Sequence, residues 1–484
     1  MVDEIKKYVS RYVIPFYFDY ADKGYSKIVE KFRNDVGKDC KSLGLPKDCE
    51  WIEKGFWENY KSDDGAQPEM DIYTYLLNVL KEDNESSNEA NLGTSFVMKT
   101  NGSILNLQYV QNDNKDAIAF KCNGLGMLIF RNGIGFIWYD VEFGRILNSD
   151  EYVEFQHDFK ELARTRSEKF RKKTGKDTYD IFCMGKWLAQ VLDTDTLGIK
   201  FWAERKCENA ENTGTLCIPD KALLFQYLFV DKADNQKRMD LAFRIANGYD
   251  KKYNSPANLE CETYEPFGNT CFYTSKTGTS YIVSDNESNA TFFEDNFKGK
   301  YLRDYFFIYV LLLYQTYSCA HYSRLLTKLP ADVQAIENDV KYLELLESLN
   351  SQINLFLVKS VYDSVSNIQH QNGAYIYGKK SLRIEEDIKS LTVGLEALRG
   401  IEIDKKEKTE QKLMDKKDRA LNKGLVTFGF LVVFSAVIDA LNLVDWFNNN
   451  TMGIGHWISL GLIAVLTVFM FIVLIVNSYK KNGR

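Results

Sequence analysis

The residues best placed to do chemistry lie in an apolar stretch near the end of the chain. Residues 425–444 read LVTFGFLVVFSAVIDALNLV. Within it Thr427, Leu431, Ser435, Asp439 and Asn442 recur at steps of four, four, four and three, which puts them on one helix face. A polar stripe on an otherwise apolar helix should face protein or water rather than lipid. Copies of Asp439 arranged in a ring would favour the passage of cations. The plainer alternative is that Ser435 and Asn442 hydrogen-bond a neighbouring helix.

Other candidate chemistry is sparse. Residues 164–176, RTRSEKFRKKTGK, carry seven basic side chains. Arg164, Arg166, Arg171, Lys172 and Lys173 form a candidate contact for an anionic ligand or a neighbouring subunit; a solvated loop or helix end has the same composition. The nine cysteines are scattered and form no C-x-x-C pair, and His157, His321, His370 and His456 are the only histidines. Zinc-ligand spacing is absent, so free, mostly buried thiols in a reducing compartment are expected. No phosphate-binding G-x-x-x-x-G-K-[ST], H-E-x-x-H or G-x-S-x-G occurs. Gly124, Gly126, Gly133 and Gly135 sit inside strand patterns and read as bulges or close approaches. Neither an enzyme activity nor a bound cofactor is expected from these residues.

The elements that position the polar stripe are two apolar segments, 425–444 and 458–476, each close to the roughly 20 residues that span a bilayer. A buried hairpin of a soluble domain is the alternative. Eight Lys or Arg precede the first segment in 405–423, and Lys480, Lys481 and Arg484 follow the second. The connecting stretch 445–457 has none. This pattern predicts a multi-pass protein of the inner (cytoplasmic) membrane with both termini in the cytoplasm. Trp446, Trp457 and Tyr479 fall where an interfacial aromatic belt would be, and Asn448, Gly453, Gly455 and His456 fall in the short outer loop. The start of the chain, charged and broken by Pro15, does not read as a signal peptide.

Net charge is −6, and −11 of it falls on residues 1–404 once the basic flanks are set aside. Such an acidic body is a poor platform for direct nucleic-acid binding. Residues 1–60 are expected to be helical with interruptions, and 62–68 and 82–94 to be polar loops. Strands are expected over 95–100, 103–110, 117–121, 127–131 and 134–143, with Asn132-Gly133 as a hairpin turn. Helix is expected over 150–166, core elements over 182–192 and 222–230, and a second hairpin over 271–283. Residues 305–320 are apolar enough to suggest another span, but they are short and hold Gln315, so a buried soluble helix is predicted. After Pro330, Val333, Ile336, Val340, Leu343, Leu346, Ile353 and Leu357 form a heptad-like seam, with a weaker stretch at 367–378. Leu382, Ile388, Leu391, Leu395 and Leu398 resume it, and 405–423 can continue as helix into the first span. The organisation is therefore an α+β cytosolic sensor (1–330), a coiled-coil-like helical stalk (331–423), a two-helix membrane hairpin (424–479) and a basic tail (480–484). Two spans cannot enclose a pore alone, so a homo-oligomer is expected.

This order of parts resembles the CorA family of magnesium transporters and channels. The hairpin FRNGIGFIWYDVEF (130–143) and the aromatic helix YFFIYVLLLYQTY (305–317) resemble a divergent CorA-like branch, some members of which accompany type III CRISPR systems. The family closes its first span with Gly-Met-Asn; here that place holds Ala440, Leu441 and Asn442. Gly455, His456 and Trp457 stand where the family has Gly-Tyr-Pro, and the outer loop is longer. The family motif is tied to capture of hydrated magnesium, so this departure weakens the case for magnesium uptake, while Asn442 keeps cation passage open. The resemblance implies a pentamer, Mg2+ as a candidate transported ion, and a small nucleotide messenger of the S-adenosylmethionine–AMP type as gating ligand, with membrane damage as a defensive outcome. A CorA-type magnesium transporter and a membrane-tethered enzyme or scaffold are the alternatives.

Overall fold

The computed structural model describes residues 4–19, 24–34, 45–46, 49–53, 72, 92–110, 117–163, 169–174, 178–208, 215–285, 291–329 and 340–449, with positions 461, 464, 465 and 468 beyond them. The chain divides into two units, Met1–Ala331 with Glu344–Leu395, and Asp332–Leu343 with Glu396–Arg484.

The first unit is an α/β body built on a mixed sheet. Its strands are β1 (Ile5–Tyr17), β2 (Glu50–Glu53), β3 (Gly93–Lys99), β4 (Leu105–Tyr109), β5 (Ile118–Phe130), β6 (Ile134–Phe143), β7 (Phe170–Lys173), β8 (Tyr179–Ile181), β9 (Lys200–Phe201), β12 (Leu223–Val230), β13 (Thr270–Ser275) and β14 (Gly278–Ser284). In space the order is β13-β14-β12-β1-β6-β5-β4-β7-β8, with β3 on β5, β2 on β3 and β9 on the end of β1. The pairs are antiparallel except β12 with β14, which is parallel. Strands β10 (Glu204–Glu208) and β11 (Thr215–Pro219) form a separate hairpin.

Residues 5–17, expected within interrupted helix, are instead the central strand β1. The segment IKKYVSRYVIPFY is rich in β-branched and aromatic side chains, which fit a pleated surface. It is buried on both faces, so the alternation that marks a half-exposed strand is missing. Pro15 lies between the last pairing with β12, at Val13, and the first with β9, at Phe16. A missing N–H costs least at such a gap. The sheet thus reaches from residue 5 to residue 284, well beyond the stretch 95–143 where strands were most legible.

Both faces of the sheet carry a core. Tyr12, Ile14, Phe16, Leu224, Leu228, Ile137 and Tyr139 point to one side. There they meet α1 (Gly24–Asn34), α2 (Ser149–Phe159), α3 (Met184–Val191) and α4 (Asn235–Asn247). Helix α2 starts on a capping box between Asn148 and Glu151. It ends at Phe159, earlier than expected, because Glu161 already bridges Lys221 as a short strand contact.

Val13, Phe136, Trp138, Phe225 and Tyr227 point to the other side. Helix α5 (Phe306–Leu326), α6 (Val340–Ser360), α7 (Gln369–Leu382) and the first residues of α8 (Ile384–Asn449) cover them. Helix α5 is buried through Phe306–Leu313 without a gap, as a helix enclosed on all sides must be. It is a core helix, as its length and Gln315 suggested. Gln315 donates to the Ser360 carbonyl at 2.6 Å and lies 3.0 Å from the Tyr375 hydroxyl, fixing α5 against α6 and α7.

The long strand β5 keeps one face in the core by means of a bulge. Ile118, Phe120 and Cys122 face the first core at even positions; Met127 and Ile129 face it at odd positions. The register shifts between Asn123 and Gly126, and Gly124 there has φ +58°. One extra residue reverses the parity, so both halves of β5 bury the same face.

The heptad-like seam after Pro330 is partly consumed within the chain. Leu346, Leu349, Ile353 and Phe356 of α6 are buried, the last three in the second core. Val333 and Ile336 lie outside the described residues. The helical break falls at 361–368 rather than at 367–378, most of which forms α7; a second break occurs at Arg383, with φ +60°.

In the second unit α8 continues as helix to Asn449, without interruption at Gly400. Its segment Glu410–Ala436 is long and apolar enough to cross a membrane, the one such helix among the described residues. Apolar side chains stand in the open there: Phe430 is 76% exposed and Val426 70%. The expected second span, 458–476, lies outside the described residues save helical backbone at 461, 464, 465 and 468.

Close approach of Gly135 to Phe16 gives a test of the sheet register. A Cβ at Gly135 would sit 2.1 Å from the Phe16 ring. Gly135→Ala is expected to destabilise the body by roughly 1–3 kcal/mol, and Phe16→Leu to recover part of that loss in the double variant. Urea denaturation of the four proteins measures it; strictly additive losses would contradict the packing described.

Candidate anion-binding cleft

Where β1, β9 and α5 end, a cleft of about 220 Å³ opens within the first unit. Tyr17, Phe18 and Asp19 come from the end of β1, Gly198 and Lys200 from the approach to β9, and His321, Arg324, Leu325 and Lys328 from the end of α5. Pairing of β9 with β1 sets Lys200 opposite Tyr17. His321 and Arg324 follow at i and i+3 on one face of α5, and Lys328 comes from the turn just after the helix. Phe18 and Leu325 are buried and give the cleft an apolar floor.

Aromatic rings back this cleft. Tyr17 and Trp202 lie 5.2 Å apart, Trp202 and Tyr317 also 5.2 Å, and His321 is 6.4 Å from both Tyr17 and Trp202. The Arg324 guanidinium rests over the Tyr17 ring at 4.1 Å, a cation–π contact that holds it in place. The indole Nε1 of Trp202 is buried and has no hydrogen-bond partner among the described residues.

The electrostatics are cationic. Lys200, Arg324 and Lys328 outnumber Asp19, and among the described residues no ion pair neutralises any of the three. His321 is 4% exposed. Burial, then the charges of Arg324 and Lys328, push its imidazole down to about 4, with Asp19 opposing. The ring is therefore neutral at physiological pH. Three fixed cations beside a neutral imidazole can hold an anion; no nucleophile with an adjacent base lines the cleft.

The residues singled out in the sequence lie elsewhere. Arg171, Lys172 and Lys173 are on β7, three strands beyond β6 in the sheet order, with Lys172 opposite Asp180 and its amino group 6.0 Å from the Phe182 ring. Arg164 and Arg166 lie outside the described residues. Thr427, Leu431, Ser435, Asp439 and Asn442 all fall on α8, so the helical stripe exists as backbone. The Thr427 hydroxyl donates to its own helix at the Lys423 carbonyl, 2.8 Å away, Leu431 is exposed and Ser435 is half-buried. The side chains of Asp439 and Asn442 lie outside the described parts. Asn448, expected in the outer loop, is instead still helical, since no Gly or Pro interrupts the chain before Gly453; Gly453, Gly455 and His456 lie outside the described residues. Among the described residues no three His, Cys, Asp or Glu side chains gather as a metal site.

The cleft residues carried one overlooked signal. The apolar helix ends in AHYSRLLTK, where His321 and Arg324 share a face and Lys328 follows in the next turn. Lys200 comes from a distant strand and has no local signature. Comparison of the chain with protein-family models, with curated proteins and with solved structures gives no match.

Burial of His321 predicts an acid-sensitive body. With its folded pKa below the unfolded value of about 6.5, the unfolded chain takes up the proton first as pH falls, so stability is full above about 6.5 and drops towards about 4. The loss attributable to this residue is about 3 kcal/mol. Denaturant midpoints between pH 7 and 4 should fall less steeply in His321→Asn than in the parent; parallel slopes would refute a buried neutral imidazole.

Proposed function

We propose that the protein is an oligomeric membrane ion channel or transporter whose cytosolic α/β body controls an ion path built from copies of α8. The observation that carries this reading is the character of α8. Its segment 426–434 exposes large apolar side chains, which in water would be a contiguous apolar surface of the kind that marks a membrane or protein contact. Thr427, Leu431, Ser435, Asp439 and Asn442 recur along one face of the same helix. A lipid-facing helix with one polar face suits the lining of a path shared by several subunits.

In this reading 458–476 is the second span, both termini are cytoplasmic, and the ring of subunits is closed around Asp439 and Asn442. The gating signal is an anionic nucleotide of the S-adenosylmethionine–AMP type, as the likeness to CRISPR-associated CorA proteins implies, and opening disrupts the membrane barrier. The cationic cleft supports an anionic signal. A CorA-type divalent-cation transporter is the second reading, favoured by Asn442 but opposed by Ala440 and Leu441 in place of the family motif.

Ion flux from liposomes holding the purified full-length protein tests the proposal. Flux is expected to rise when an adenylate messenger is added, and Asp439→Asn is expected to lower the preference for cations over anions by about tenfold, as loss of a charged ring would. A protein that stays monomeric in detergent, or flux indifferent to Asp439→Asn, would overturn it.

A further inference from the structure

We propose that the cleft at the end of β1 binds the phosphate group of a small phosphorylated ligand, with Lys200, Arg324 and Lys328 as charge contacts, and that binding is coupled to uptake of a proton by His321. This deepens the reading of an anionic messenger by naming where its phosphate sits.

Four observations converge. First, the three cations reach one cleft from two separate elements, β9 and α5, and none is spent on an ion pair among the described residues. Arg324 and Lys328 also oppose the dipole of the α5 C-terminus, which accounts for two positive charges there. That explanation does not reach Lys200. Second, residues 1–404 are acidic overall, so a net positive cleft is a local departure from the charge of its own body. Third, Arg324 is already ordered by the Tyr17 ring beneath it. A guanidinium held by its face keeps its N–H edge free for bidentate contact with phosphate oxygens. Fourth, the cleft holds about 220 Å³, below the roughly 300–1,000 Å³ of sites that enclose a drug-sized ligand. It accommodates a phosphate and its immediate substituent, and the rest of a larger ligand would lie outside.

The coupling to His321 follows from what faces the ring. Tyr17 and Asp19 approach from β1, Lys200 from β9, Trp202 just after it, and Tyr322, Arg324 and Lys328 from the ring's own helix and its end. Burial, and after it the charges of Arg324 and Lys328, hold the imidazole neutral against the single carboxylate of Asp19. A bound dianion reverses that balance, and the imidazole then accepts a proton from water and becomes a further donor to the anion. By linkage, affinity for the anion rises as pH falls.

The test uses the full-length protein in detergent at fixed ionic strength, with calorimetry against inorganic phosphate, AMP, adenosine and sulfate. Phosphate and AMP are expected to bind and adenosine to fail. Arg324→Ala and Lys200→Ala should each weaken AMP by about tenfold or more, with Arg324→Lys intermediate. Sulfate does not titrate near neutrality, so its pH dependence reports the protein alone. Its affinity should increase several-fold from pH 8 to pH 6 in the parent, and this increase should vanish in His321→Gln. Adenosine binding as well as AMP, or AMP affinity within twofold in both Ala variants, overturns the phosphate site. A pH response retained in His321→Gln overturns the proton coupling. Phosphate binding without nucleotide-dependent flux defeats the gating reading and leaves the cleft, whereas nucleotide-dependent flux that survives Lys200→Ala and Arg324→Ala defeats the cleft and leaves the gating.

Discussion

A sheet that is apolar on both faces cannot give either one to water. Strand β12 is buried at all eight positions, and β1 and β6 send large side chains to both sides. Two layers of helix are therefore obligatory, and much of the rest follows from that demand. Helix α5 lies on one side between the sheet and α6, α7 and the start of α8, which is why its first turns are apolar around the whole circumference. The polar groups that must lie between the layers are tied down. Arg11 forms a bidentate pair with Asp140 at 2.6 and 2.8 Å and stacks 4.2 Å over Phe306, joining β1, β6 and α5. A buried pair of this sort adds little net stability, yet losing one partner leaves a stranded charge. It fixes how the helix layer registers on the sheet.

The cleft arises where this two-sided burial runs out. Strand β1 loses β12 as a neighbour after Val13 and gains β9 for two residues, and α5 leaves the core within the same region. There the helix changes from the unbroken apolar run before Gln315 to His321, Arg324 and Lys328. His321 is the last polar side chain of α5 still enclosed, so it meets the desolvation of the core and the charges of the rim together. A titratable ring on that border has its proton affinity set first by burial and then by the charges of the rim.

Much of this architecture could be read from the residues. The Asn132-Gly133 hairpin stands out because its turn chemistry is local, and the second hairpin for the same reason. The nature of α5 could be inferred because a largely apolar stretch of 16 residues, holding Gln315 and followed by charged residues, is too short for a span. Strand β1 was missed because burial on both faces erases its periodicity, and its sense as a strand depends on β6 and β12, more than a hundred residues away. The bulge in β5 split one strand into two apparent ones. The cleft was invisible for a related reason: Lys200 and Tyr17 become neighbours only through the β9 pairing. The basic cluster 164–176 drew attention by its density, whereas β7, in the described part of it, is paired between β4 and the edge strand β8, where Lys172 lies opposite Asp180.

Helix α8 states the division of the molecule in one element. Its first turns bury Ile384, Leu391 and Leu395 at spacings of seven and four, the pattern of a helix packed on protein on one side. From 410 to 420 every side chain is exposed, in a stretch dense with Lys and Asp or Glu, the pattern of a helix in water. From 426 to 434 the exposed side chains, Thr427 apart, are Val, Phe and Leu, which neither of the first two surroundings rewards. Burial of such side chains is worth about 25 cal/mol per Å² of apolar surface, and leaving several of that size in water forfeits many kcal/mol. No periodic polar face of a coiled coil interrupts this last segment except the one stripe through Thr427 and Ser435. A single helix therefore carries three kinds of surface in order: a face packed on protein, a stretch of exposed charge and a stretch of exposed apolar side chains. Thr427 and Ser435, on one face of the helix, are the polar positions that interrupt that last apolar stretch.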